Sequence, residues 1–201
     1  MYNINFILHL LLHHHVVAYK DSKGIWVHAT IGRWVSEVAK HFTKVGLLLH
    51  VSDNKLDTQD TCLNDANIVL ESLGSPGYTW DRLSRMKRIK QCCVGLNDHY
   101  DILLVRGPTP RQLTIWKNIK VTKKYFMLVS SLKYIHQRPK LYSISSTYSW
   151  FMERYRQKEI KFILESGKLL ANAYKTAEEV HHKIGISGQT VWTTICSEKE
   201  I

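Results

Sequence analysis

Apolar residues recur along the chain in two alternating rhythms. Asn5–Leu12 is a near-continuous apolar run, the pattern of a central parallel strand covered on both faces. Residues 13–30 then read as a long polar loop carrying Lys20, Asp21, Lys23 and Gly24. Trp34, Val35, Val38, Ala39 and Phe42 recur at helical spacing, which predicts a helix over 31–44. Val45–Val51 is a second apolar strand, stopped by Ser52-Asp53-Asn54. Residues 53–65 read as a polar connection, Ala66–Leu70 as a short strand, and Ser75-Pro76-Gly77 as a turn. A basic amphipathic helix follows, with Leu83, Met86, Ile89, Cys93 and Leu96 on its predicted apolar side.

Tyr100–Val105 is the third clear strand. It breaks at Arg106-Gly107-Pro108-Thr109-Pro110, and a helix is predicted to begin near Arg111. Tyr125–Val129 reads as a strand ended by Ser130-Ser131, with His136-Gln137-Arg138-Pro139 in the loop beyond. Tyr148–Glu165 reads as a long helix, Lys168–Ala171 as a short strand, Thr176–Ile184 as a helix and Gln189–Cys196 as a last strand. Strands alternating with helices predict βαβ units. The expected fold is therefore α/β: one Rossmann-like domain over 1–201, its mostly parallel sheet covered by helices on both faces. Ligands in such folds bind beyond the carboxyl ends of the strands, which selects the loops 13–30, 106–111 and 130–139.

Charge narrows the partners. Lys and Arg number 28 against 17 Asp and Glu, a net +11 that favours nucleic acid, anionic lipid or phosphorylated small molecules. A hydrophobic share of 44% excludes a disordered chain. Cys62, Cys92, Cys93 and Cys196 form no C-x-x-C pair and are expected to be reduced thiols of a cytoplasmic protein. The apolar run Ile7–Leu12 is too short to cross a bilayer, and no basic residue precedes it, which argues against a signal peptide. The chain carries no Walker A motif, nucleophile elbow, zinc signature or RNA-recognition motif.

Five groups of residues carry candidate chemistry. In Arg106–Arg111, Gly107 permits close backbone approach to a ligand, Thr109 suits a helix cap and Pro110 the first helical position. Arg106 and Arg111 beside that helix start suit a phosphate; the plainer alternative is a strand–helix turn with solvated arginines. Lys23, Gly24, Gly32 and Arg33 are candidates for a cleft wall, against an ordinary surface loop and helix start. His136, with Lys133 and Arg138 after Ser130 and Ser131, has the chemistry of a general base or hydrogen-bond donor, although loop histidines are more often merely solvated. Residues of His13-His14-His15 point alternately to opposite sides of an extended segment, so no metal site is expected; one of them is expected to line the cleft. Arg82, Arg85, Lys87, Arg88 and Lys90 make residues 82–90 a candidate surface for acidic lipid, ahead of nucleic acid, or else a solvated face.

The order of these elements resembles the N-terminal domain of GT-B glycosyltransferases of the large family-4 type. Gly32-Arg33-Trp34-Val35-Ser36-Glu37-Val38-Ala39-Lys40-His41-Phe42, followed by Val45–Val51, is similar to the family's glycine-opened first helix and second strand. Tyr100-Asp101-Ile102-Leu103-Leu104-Val105-Arg106-Gly107-Pro108 resembles its D-h-h-h-h-H/R-x-P strand, with Arg106 where the family has histidine. Leu169–Val180 resembles its late strand and helix, and Phe126–Ser131 its strand ending in a polar loop. The resemblance covers nearly the whole chain and implies the acceptor-side half of a two-domain enzyme. It implies sugar transfer from a nucleotide-sugar co-substrate, with no further cofactor, to a sugar or glycolipid acceptor. Arg106 and His136 are the catalytic candidates it leaves. Lys23, Gly24, Gly32, Arg33, Gly107, Pro108, Thr109, Arg111, Ser130, Ser131 and Lys133 would line the acceptor cleft. The family's donor half, with its E-x₇-E carboxylate pair, lies outside these 201 residues, so the expectation is a domain inactive until a donor-domain chain joins it. The expected setting is cytoplasmic, with peripheral membrane contact through 82–90.

Overall fold

A computed structural model of the chain describes residues 7–76, 82–107, 109, 111–128, 154–155, 158–171, 178, 182 and 188–190. Its strands are β1 (His9–Asp21), β2 (Gly24–Val27), β3 (Lys44–Val51), β4 (Thr61–Leu63), β5 (Ile68–Ser72), β6 (Ile102–Gly107), β7 (Lys123–Leu128), β8 (Lys168–Ala171) and β9 (Gly188–Thr190). Its helices are α1 (Ala29–Ala39), α2 (Arg82–Gly95) and α3 (Gln112–Asn118), with residues 158–166 also helical.

Seven strands run parallel in the order β5-β3-β1-β6-β7-β8-β9. The chain builds outward from β1 through β3 to β5. It then crosses back and builds the other way from β6. This is a doubly wound α/β domain of Rossmann type, and its winding direction reverses between β1 and β6.

Both faces of the sheet are covered, which is why Leu10–Leu12 of β1, Val45–Leu49 of β3 and Ile102–Val105 of β6 are unbroken apolar runs. On one face, Leu11, Leu48, Leu103 and Val105 pack against Ile89 and Cys93 of α2, Ile115 and Trp116 of α3, and Ile163 and Leu164 of 158–166. On the other, Leu10, Leu12, Leu47 and Leu104 pack against Ile31, Trp34 and Val35 of α1. Even-numbered residues of β1 and β6 thus look toward α1, and odd-numbered ones toward α2 and α3. Gly46 in β3 leaves room for the Tyr100 ring, whose hydroxyl would meet any Cβ there and instead donates to Glu71 Oε1 at 2.5 Å.

Several expectations need correction. β1 does not end at Leu12 but continues to Asp21, so the expected loop 13–30 is mostly strand, turn and strand. Asp21 Oδ1 accepts from the N–H groups of Lys23 and Gly24 at 2.8 and 3.2 Å, and Gly24 takes φ 146°. That local turn, cheap only for glycine, folds β2 back antiparallel on Tyr19–Asp21. The polar connection 53–65 holds β4, which pairs antiparallel with β2. α1 begins at Ala29, capped by His28 Nδ1 accepting from Thr30 N–H at 3.3 Å, and ends five residues earlier than its periodicity predicts. Met86 is not on the apolar side of α2 but 43% exposed, whereas Ile89, Cys93 and Leu96 are buried as expected. β8 has the expected bounds, Lys168–Ala171.

Candidate site at the crest of β1 and β6

The strand order reverses between β1 and β6, so the carboxyl ends of these two strands are where a doubly wound sheet opens a crevice. β1 is irregular there. His13 pairs with Leu48 and Val17 with His50, so β1 takes four steps where β3 takes two. The surplus is a bulge holding His14, His15 and Val16. A bulge re-aims side chains and commonly borders functional sites.

His13 looks to the α2/α3 face and is buried. Its Nδ1 lies 2.8 Å from Leu48 O, and a carbonyl only accepts, so Nδ1 carries the proton. Nε2 is therefore the acceptor, and the Thr109 hydroxyl donates to it at 3.4 Å. Desolvation holds the ring neutral, with its pKa lowered to about 4 despite the Leu48 bond. His50, half-buried on the same face, donates from Nδ1 to Gly74 O at 3.1 Å; burial, Arg111 and Arg85 lower its pKa.

His14 looks to the α1 face. Its Nδ1 accepts from Val16 N–H at 3.1 Å across the bulge, so its proton sits on Nε2. Burial, then His15 and Arg106, push its pKa far below the usual imidazole range. The exposed His15 ring stacks on His14 with centroids 4.3 Å apart. Arg106 lies beside both and reaches over the Trp34 ring at 5.4 Å. Its Nε is buried and has no hydrogen-bond partner. Burial also lowers the Arg106 pKa.

The predicted site residues divide accordingly. Arg106, Thr109 and Arg111 do gather at the crest, together with His13 and His14. Two proposed roles change. Thr109 is not the cap of α3: that position is Arg111, held at φ 65°, and no side chain caps it. The Thr109 N–H instead donates to Gln112 Oε1 at 2.9 Å, while its hydroxyl turns to His13. Gly107 gives no ligand access, because a Cβ there would meet the Phe126 ring at 2.6 Å and Gln112 Oε1 at 2.8 Å; it permits packing. Gly32 likewise faces the Thr61 side chain of β4, and Gly24 faces Leu63 O at 2.5 Å. Lys23 and Arg33 are exposed. Pro108, Ser130, Ser131, Lys133 and His136 lie outside the described residues. Sequence reading missed Trp34, His50 and Gln112 as site residues. Parity was the available signal for the first, since Arg106 shares its side of β6 with Leu104, which packs against α1.

Among the described residues, no three His, Cys, Asp or Glu side chains gather as a metal ion needs. Cys62, Cys92 and Cys93 are free thiols, and burial pushes Cys93 up to about 12, away from reactivity. No described helix is long and apolar enough to cross a membrane. Set against known proteins, the chain matches no protein-family model and no curated protein.

Proposed function

We propose that the chain is the acceptor-side half of a GT-B glycosyltransferase, binding a sugar or glycolipid acceptor at the crest of β1 and β6. The observation that carries this reading is the strand order β5-β3-β1-β6-β7-β8-β9 with a polar, cationic crest at its reversal point. That is where a doubly wound half-enzyme would meet its substrate. Arg106 has the chemistry to stabilise the negative charge of a departing diphosphate across the cleft, because a buried guanidinium interacts strongly with developing charge. The donor-binding half, on this reading, supplies the nucleotide site. The test is co-expression of the chain with a second Rossmann half from the neighbouring coding sequence, followed by assay for nucleoside diphosphate release from a panel of nucleotide-sugars. Release that needs both halves supports the reading. Release no greater than from either half alone, with both folded, removes it.

A second reading, contact with an anionic membrane surface, is favoured by α2. No acidic residue lies in Arg82–Gly95, and its outer side exposes Met86 and Val94 among Lys87, Arg88 and Lys90. Apolar side chains ringed by cations are the pattern of a helix lying on an acidic headgroup layer. Lys87→Glu with Lys90→Glu is expected to weaken sedimentation with phosphatidylserine-containing vesicles by roughly tenfold or more. Equal binding to neutral and acidic vesicles by the parent chain would exclude this surface.

A further inference from the structure

Arg106 presents an unusual combination. Its Nε–H is buried without a partner, and no described carboxylate forms an ion pair with it. A buried donor on a cation loses its water and gains nothing in return, so native structures keep such groups only where something else satisfies them. The neighbouring group is also a donor. His14 Nδ1 is occupied as an acceptor by Val16 N–H, which leaves Nε2–H to point elsewhere, and among the described residues Nε2 has no hydrogen-bond partner. The charges acting on His14 and His15 come from histidines and Arg106, none from an acidic group. Among the described residues, the α1 side of the crest is therefore a set of donors without an acceptor. It is backed by the Trp34 ring and lies beside a bulge that turns His14 and His15 out of the ladder.

We propose that Arg106, His14 and His15 form a subsite for a phosphate group, seated on the α1 side of the crest where β1 and β6 diverge. A guanidinium fork and an imidazole N–H match an acceptor with several oxygens in different directions better than they match the planar pair of a carboxylate. The subsite needs no protonated histidine, because the neutral His14 tautomer already donates. On the sugar-transfer reading that phosphate belongs either to the departing diphosphate or to the acceptor, and the ligands below separate the two; the phosphate subsite itself does not rest on that reading.

The test is calorimetric titration of the full chain with inorganic phosphate, pyrophosphate, glycerol 3-phosphate and acetate at matched ionic strength. The expected result is saturable binding of the phosphates and none of acetate. Preference for glycerol 3-phosphate points to a phosphomonoester as the natural ligand, and preference for pyrophosphate to a diphosphate. Arg106→Met, which keeps the chain length over Trp34, is expected to weaken binding roughly ten- to hundredfold. Lys168→Gln, exposed at the amino end of β8 and so at the opposite end of the sheet, is expected to leave it within a few-fold. In the unsubstituted chain, ¹⁵N spectra should show the His14 Nε2 signal moving with added phosphate, a readout that survives if the Arg106 variant fails to fold. Absence of saturable binding, equal affinity for acetate, or an unmoved His14 signal overturns the proposal. Phosphate binding without sugar transfer by the paired halves would remove the enzyme reading alone. Sugar transfer without phosphate binding would remove the subsite alone.

Discussion

Lowering the pH from neutral to about 5 is expected to remove about 4 kcal/mol of folding stability, through His13 and His14 alone. Both rings are buried and neutral in the folded chain. Unfolded, each titrates near the ordinary value of 6.5; folded, His13 falls to about 4 and His14 lower still. Below 6.5 the unfolded chain therefore binds more protons than the folded one, and acid favours unfolding. The loss begins at 6.5 and continues for His13 until about pH 4, where the folded ring protonates as well. Half-buried His50, also lowered, adds in the same direction. Urea midpoints followed across this range check the expectation. In His14→Phe the slope of stability against pH should flatten by about 1.4 kcal/mol per pH unit, since one titrating group is gone. A slope that does not change would mean that His14 is not kept neutral by burial.

Trp116→Ala should cost a comparable amount, about 3–5 kcal/mol, because a large side chain is removed from a site that cannot collapse. Trp116 is 2% exposed and meets Phe126 edge-on with ring centroids 6.3 Å apart. Its indole N–H donates to Ser166 Oγ at 2.8 Å, and the ring occupies the space that a Cβ at Gly167 would need. One side chain thus ties α3, β7 and the end of 158–166 together. Trp116→Phe separates packing from hydrogen bonding. Ser166 still donates to Phe162 O at 2.7 Å, so no buried hydroxyl is orphaned and the loss should be well below that of alanine. Chemical denaturation with near-ultraviolet circular dichroism reads both. A loss under about 1 kcal/mol in Trp116→Ala would show that this junction does not hold the α3 side of the sheet.

The parts of the fold that were legible in the sequence are those where polarity and burial agree. Val45–Val51 and Lys168–Ala171 are apolar runs flanked by polar or glycine residues, and they are strands within a residue of where they read. β1 shows the opposite case. His13 and His14 are polar letters that behave as buried neutral rings, so the apolar pattern stops where the strand only bulges. β4 was hidden because three residues on a sheet edge, Thr61-Cys62-Leu63, carry no period long enough to read. Thr109 differs for another reason: its place before Pro110 suits a cap, but Arg111 takes that position in a left-handed conformation, and the Thr109 hydroxyl meets His13 instead. Of the candidate site, Arg106 was legible from its place at the end of an apolar strand. Its partners across the sheet were not, because the pairing of β1 with β6 joins residues far apart in the chain.

That same pairing governs how the protein is made. β1 leaves the ribosome first and finds β3 soon, since His9 pairs with Lys44. Its other edge waits for β6, and the bond from His9 N–H to the Asp101 carboxylate spans 92 residues. At roughly 5–20 residues per second, the leucine-rich edge of the central strand stays bare for roughly 5–20 s of synthesis. During that interval it is an open template for pairing with other nascent chains. The central position that covers both edges of β1 in the finished protein leaves one of them bare in the unfinished one.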